Sequence, residues 1–364
     1  MDRRNALKHM GVLGLGTSLL PASAATWNTE KKLGVALVGL GNYSTRQLAP
    51  ALQETEHCYL AGIVTGTPQK AVDWAKKYNI PQKNIYNYEN YDRIRDNPDI
   101  DIIYVVLPNS MHAEYTIRGF EAGKHVICEK PMAMDTKECL QMLAARDKAG
   151  KQLQIGYRLY YHPVHLAAVE VGNRSRWGKV KMMESGLGFR MGVPGSWRLD
   201  KKMGGGGAIM DLGVYCIQGI RRFVGELPVS VTAQGYNTVP EIFKGIYESV
   251  TFQMRFPSGA VSSSSTSYNA NMDRFYATCE EGRLEIKPCF SAGQPPQLVA
   301  SEELSVEPSK NQYQQTAQMD AFALNLKTGS QVTASGEEGL FDLQIIDAIK
   351  QSMATGRQVK VAYG

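Results

Sequence analysis

The chain has 364 residues, enough for two domains of ordinary size, with 43% hydrophobic and 21% charged residues, the balance of a globular protein that can bury substantial cores. Its net charge of +5 is scattered, with no long Lys/Arg block, which argues against a nucleic-acid partner. After the N-terminal region no apolar run reaches the 18 or so residues a membrane span needs, and the six cysteines show neither a disulfide framework nor zinc-ligand spacing, so no metal is expected.

Residues 1–24 read as an export leader. Arg3-Arg4 is followed by a weakly apolar run from Met10 to Leu20 and by Ala22-Ser23-Ala24, small side chains suited to a signal peptidase. This is the twin-arginine pattern, with Ala6 where Phe is favoured, and it predicts a periplasmic protein exported already folded. Residues 25–33 form a polar arm.

From Leu33 the texture changes. The runs Leu33–Leu40, Tyr59–Val64, Ile100–Leu107, His125–Cys128 and Gln152–Tyr157 read as strands. Helical patterns lie between them: from Gly41 through Leu52, then Pro68–Tyr78, His112–Ala122 and Thr136–Ala149. Alternating strands and helices predict an α/β, doubly wound parallel sheet over residues 34–157. Residues 158–364 differ. Strands are expected at Val180–Leu187, Val229–Tyr236, Glu248–Phe256, Ala260–Ser267, Arg274–Cys279 and Gly282–Ile286. Helices are expected near 163–173, 207–224, 311–327 and 338–354, and residues 291–308 as a surface loop. The short turns between several strands predict a large, mostly antiparallel open sheet.

Gly39-Leu40-Gly41-Asn42-Tyr43-Ser44 lies between the first strand and the first helix, where a dinucleotide fingerprint belongs. One Gly permits the turn and the next lets backbone approach a pyrophosphate, with Ser44 in place of the third small residue. At the end of the second strand, Thr65-Gly66-Thr67-Pro68-Gln69-Lys70 lacks the carboxylate that would bind a ribose 2′-hydroxyl. Two hydroxyls and a cation suit a 2′-phosphate instead, which favours NADP(H).

Three segments carry a resemblance: Leu107-Pro108-Asn109-Ser110-Met111-His112, then Ala122-Gly123-Lys124-His125-Val126-Ile127-Cys128-Glu129-Lys130-Pro131, then Gly204-Gly205-Gly206-Gly207-Ala208-Ile209-Met210-Asp211-Leu212-Gly213-Val214-Tyr215. The chain resembles the Gfo/Idh/MocA family of glucose–fructose oxidoreductase, inositol dehydrogenase and their relatives. Most members have His where Tyr215 stands. Tyr there, together with Tyr157-Arg158, Trp197-Arg198-Leu199 and Gly336-Glu337-Glu338-Gly339, is similar to the glucose–fructose oxidoreductase branch. The resemblance implies that Lys130 and Tyr215 flank the nicotinamide as catalytic residues, with Asp211 orienting them one helical turn away. It implies cofactor contacts from Leu107, Pro108, Asn109, His112, Glu129, Arg158, Trp197 and Arg198, beside Asn42 and Tyr43. Sugar contacts are expected from Lys130, Tyr160, His162, Asp211, Tyr215 and Tyr268.

Export adds a constraint. A compartment without free NADP(H) favours an enzyme that keeps its nucleotide, oxidising an aldose to its lactone and reducing a second sugar to a polyol. The resemblance further implies that residues 25–33 cover the adenosine, that residues 158–364 bind substrate, and that a homodimer or homotetramer forms through the second sheet. A conventional NADP-dependent sugar dehydrogenase and a nicotinamide-dependent glycosidase of the same fold stay open.

Overall fold

Short β-branched runs flanked by helical patterns do form the expected first sheet. The computed structural model describes residues 31–191, 195–292 and 294–363; the expected leader and the expected arm up to residue 30 lie outside them. Six parallel strands, β1 (Leu33–Val38), β2 (Cys58–Val64), β3 (Ile85–Tyr86), β4 (Ile102–Val105), β5 (His125–Cys128) and β6 (Leu153–Ile155), lie in the order 3-2-1-4-5-6. Helices α1 (Ala49–Glu54), α2 (Pro68–Tyr78), α3 (His112–Glu121) and α4 (Thr136–Ala149) cover it. The strand order reverses between β1 and β4, so their carboxyl ends open the crevice in which such sheets bind ligands.

After α5 (Pro163–Asn173), β7 (Val180–Gly188), the short α6 (Lys201–Gly204) and α7 (Val214–Val224) come the remaining strands. These are β8 (Ser230–Tyr236), β9 (Ser249–Arg255), β10 (Val261–Ser267), β11 (Met272–Cys279), β12 (Arg283–Ile286) and β13 (Leu298–Ala300). The chain closes with α8 (Gln314–Thr328), α9 (Gly336–Thr355) and β14 (Val359–Lys360). The second sheet has the order 13-12-11-7-10-9-8-14; only β7 and β10 run parallel. Alternation along its strands buries Met183, Leu187, Val250, Phe252, Met254, Phe275 and Ala277 against helices that include α7 and α9, leaving the other face open.

Three short strands escape the sequence pattern. β3 and β14 have two residues each, and β13 adds an edge strand inside the segment expected to be loop. The division at residue 157 also needs qualification. α8 returns to the first sheet, where Met319, Phe322, Ala323 and Leu326 bury among Leu33, Leu37, Leu48, Leu52 and Ile63. Asp320 on α8 accepts hydrogen bonds from the backbone N–H of Glu56 and His57 at 2.9 and 2.8 Å. All six cysteines are buried and free.

Candidate active site

The cleft at the switch point has a volume of ≈ 690 Å³. Gly39 turns the chain out of β1 with φ +94°, and a Cβ there would stand 2.4 Å from the Val106 carbonyl oxygen, so only glycine fits. Gly41 is different. A Cβ on it would meet no protein atom within 4 Å, yet the residue lines the cleft, so the missing side chain makes room for a ligand rather than for packing. The helical run 42–54 starts there, and its first residues, Asn42 and Tyr43, line the cleft. These features fit a dinucleotide.

Asn42 and Tyr43 line the cleft with the glycines, as do Thr65, Gly66, Thr67 and Lys70 at the end of β2. The Lys70 ammonium reaches back to the Leu40 carbonyl at 3.0 Å, and the Thr65 hydroxyl accepts from the Thr67 N–H at 3.2 Å. The carboxylates on the cleft wall are Glu129 and Asp211, neither of them at the β2 end. Tyr88 lines the cleft beside Gly66 and has no signature in the sequence.

Leu107, Pro108, Asn109 and His112 follow β4 on the same wall. The two His112 ring nitrogens lie 2.9 Å from the Leu107 carbonyl and 2.8 Å from that of Pro131, tying the loop after β4 to the one after β5. Burial lowers the His112 pKa. Asn109 donates to the Gly204 carbonyl at 2.9 Å, a direct link to the glycine run of the second half. Glu129 is buried and accepts from the Tyr104 hydroxyl at 2.7 Å; burial raises its pKa.

Lys130 stands at the carboxyl edge of β5. Its ammonium donates to the Asp211 carboxylate and to the Asp211 carbonyl, each at 2.9 Å. Burial disfavours this charge, but Asp211 and Tyr215 outweigh it and the Lys130 pKa is raised. Asp211 sits in a π-helical turn, Ile209–Gly213, that runs into α7 and carries Tyr215 on the same wall. Its other oxygen accepts from Arg198 Nε at 2.9 Å and from the Tyr268 hydroxyl at 3.0 Å. Burial opposes ionisation of Asp211, yet Lys130 and Arg198 hold its carboxyl well below the usual range. The Lys130 ammonium lies 4.7 Å from the centroid of the Tyr215 ring. Trp197 and Arg198 complete the wall, the guanidinium 4.3 Å above the indole.

Four expected site residues are elsewhere. Residues Arg158–Tyr161 form one 3-10 turn, which sends successive side chains about 120° apart. Tyr160 therefore points into another cavity, donating to Glu338 at 2.9 Å beneath the Arg222 guanidinium. His162 is half-buried against His165, its pKa pushed down to about 4 by burial and then by Arg158, and it does not line the cleft. Tyr268 is 1% exposed and spends its hydroxyl on Asp211. Arg158 lies behind Tyr215, outside the cleft lining. The remaining expected residues, Gly39, Gly41, Asn42, Tyr43, Thr65, Gly66, Thr67, Lys70, Leu107, Pro108, Asn109, His112, Glu129, Lys130, Trp197, Arg198, Asp211 and Tyr215, all line the one cleft.

The family descriptions match in both halves. Residues 33–157 match "Oxidoreductase family, NAD-binding Rossmann fold", and residues 165–285 match the GFO/IDH/MocA C-terminal domain. The chain belongs to the Gfo/Idh/MocA oxidoreductase family. The crystal structure of aldose-aldose oxidoreductase from Caulobacter crescentus is 38% identical, superposes with a TM-score of 0.87, and covers 91% of this chain and 100% of its own. D-xylose 1-dehydrogenase [NADP(+)] of Haloarcula marismortui is 26% identical over 92% of this chain and 94% of its own length. The 1,5-anhydro-D-fructose reductase of Ensifer adhaerens is 27% identical over 73% of this chain and 81% of its own. In this family member the Lys130, Asp211 and Tyr215 cluster stands on the wall of the cleft that opens at the carboxyl edge of the Rossmann sheet.

Proposed function

We propose that this family member is a sugar oxidoreductase that keeps one NADP(H) and works by a ping-pong cycle. An aldose is oxidised at C1 to its lactone, and a second sugar carbonyl is reduced to a polyol. The observation that carries the reading is the convergence of the Lys130 ammonium, the Asp211 carboxylate and the Tyr215 phenol on the wall of a dinucleotide cleft. The 38% identity to an aldose-aldose oxidoreductase supports aldose chemistry in both half-cycles, and the named coenzyme of the xylose dehydrogenase supports NADP. Thr65, Thr67 and Lys70, with no carboxylate on that part of the wall, suit a 2′-phosphate.

Gly39, Gly41, Asn42, Thr65, Thr67 and Lys70 would hold NADP(H), which when bound would supply the hydride carrier between the two sugars. Tyr215 takes the C1 hydroxyl proton as hydride leaves and returns it to the new hydroxyl. Lys130 donates a hydrogen bond to the same oxygen and stabilises its alkoxide-like charge. Asp211 fixes Lys130 and Arg198 in place. Retention of the nucleotide follows from export through the twin-arginine route to the periplasm, where a freely dissociating coenzyme would be lost. Assembly through the open face of the second sheet, where Val261 pairs with Met182 and both are exposed, completes the proposal.

The test uses the purified protein as isolated. Gel filtration gives its assembly state, acid releases its nucleotide for identification, and aldoses are added singly while the absorbance of reduced nicotinamide is followed. Reduction of a resident NADP+ without added coenzyme supports the cycle. A protein that purifies empty and turns over only with free NADP+ is instead a conventional dehydrogenase.

A further inference from the structure

Arg158 is 4% exposed and its guanidinium is held by two neutral acceptors, the Gln314 side-chain oxygen and the Phe290 carbonyl. Among the described residues it makes no ion pair with a carboxylate. Glu129 is close enough to feel its charge, but that carboxyl is hydrogen-bonded by Tyr104 and pushed toward its neutral form by burial. A buried cation without a contact counter-ion is costly, and here it sits with its central carbon 5.5 Å from the Tyr215 ring centroid.

The surroundings hold it there. Asp273 on β11 accepts from the backbone N–H of Cys289, Phe290 and Ser291 at 2.8, 2.6 and 3.0 Å. This fixes the loop whose Phe290 carbonyl receives Arg158 and whose Phe290 ring packs 6.2 Å from that of Tyr215. Gln314 comes from the start of α8.

Lys130 is nearer to Tyr215, at 4.7 Å, but its ammonium faces the Asp211 carboxylate at 2.9 Å, which cancels much of its field at the phenol. Among the described residues, Lys130, Arg158 and Tyr43 act directly on Tyr215, with Asp211 paired to Lys130 and Glu129 acting on Tyr43 and Arg158. Of these, Arg158 alone is a cation without a contact carboxylate.

We propose that Arg158 is an electrostatic positioning residue for Tyr215, its uncompensated guanidinium favouring negative charge on the phenol oxygen while a substrate proton is handled. The proposal rests on the proton role given to Tyr215 above. It replaces the cofactor contact expected of Arg158 from the sequence.

Three variants test it. Arg158→Met removes the charge at similar length. Gln314→Glu keeps the arginine and neutralises it from a side chain that is only partly buried, so it decides the matter if Arg158→Met does not fold. Arg158→Lys restores a charge with poorer anchoring. In the first two, the acid limb of kcat/KM for aldose oxidation moves to higher pH by about 1 unit. The 13C resonance of ring-labelled tyrosine that is missing in Tyr215→Phe shows the same displacement, independently of turnover. Arg158→Lys lies between these variants and the wild type. Profiles and resonances that superimpose on the wild type, with Tyr215→Phe inactive, overturn the role of Arg158 alone. Wild-type turnover in Tyr215→Phe overturns the proton role of Tyr215 and the proposal with it.

Discussion

Two cations and a phenol donate to the Asp211 carboxylate, and that convergence makes Asp211 the most sensitive position in the site. Replacing it with Asn leaves the Lys130 ammonium, itself 11% exposed, without its counter-ion. Removing one partner of a buried pair typically costs about 3–5 kcal/mol. Because the native Asp211 carboxyl ionises well below its ordinary value, its contribution is complete above about pH 4 and fades as pH falls further. Thermal melts should therefore show a large gap between wild type and Asp211→Asn at pH 7 that narrows on acidification; a gap that widens in acid would contradict the assignment. Lys130→Met should leave nucleotide binding measurable and lower kcat by roughly 10²–10⁴-fold, the usual range for a lost proton-transfer or oxyanion partner. Steady-state kinetics on any accepted aldose would read this.

Elements explain which parts of the site the sequence could announce. Gly39, Gly41, Glu129, Lys130, Asp211 and Tyr215 belong to local motifs at strand ends and a helix start, where chain direction alone decides what faces the cleft. Residues 158–162 were less legible. Whether Arg158, Tyr160 or His162 reaches a ligand depends on the phase of one 3-10 turn, which composition does not encode. Tyr88 joins the wall because β3 brings the following loop beside Gly66, and β3 has only two residues to signal it. The two-residue strands exist through their partners, β14 against β8 and β3 against β2. Gly39→Ala combines an unfavourable φ with a 2.4 Å approach to backbone, so the turn must deform. A loss of nucleotide binding and of about 2 kcal/mol or more of stability is expected, measurable by isothermal titration and denaturant melts. Unchanged binding would mean that the fingerprint turn does not position the ligand.

At the scale of the whole molecule the two sheets share their later helices. α9 packs on both, its Gly336 and Gly339 against Leu153 and Met132 on the first, and its Ser352 receiving the Ala233 N–H of β8 on the second. α8 seals the far side of the nucleotide domain with Phe322 fully buried. Phe322→Ala should cost about 3–5 kcal/mol in denaturant unfolding and also weaken nucleotide binding, although the residue lies outside the cleft lining. Stability loss with wild-type affinity would show that the domain tolerates a loosened seal.

The return of α8 orders events during synthesis. A ribosome that has made residues 33–157 has released every strand of the first sheet but not the side chains that cover Leu48 and Leu52. Those arrive about 160 residues later, after the whole second sheet except its last edge strand has emerged. The core beneath the first helical run is therefore completed late in synthesis, and a nascent chain arrested before α8 would leave that apolar face without its cover.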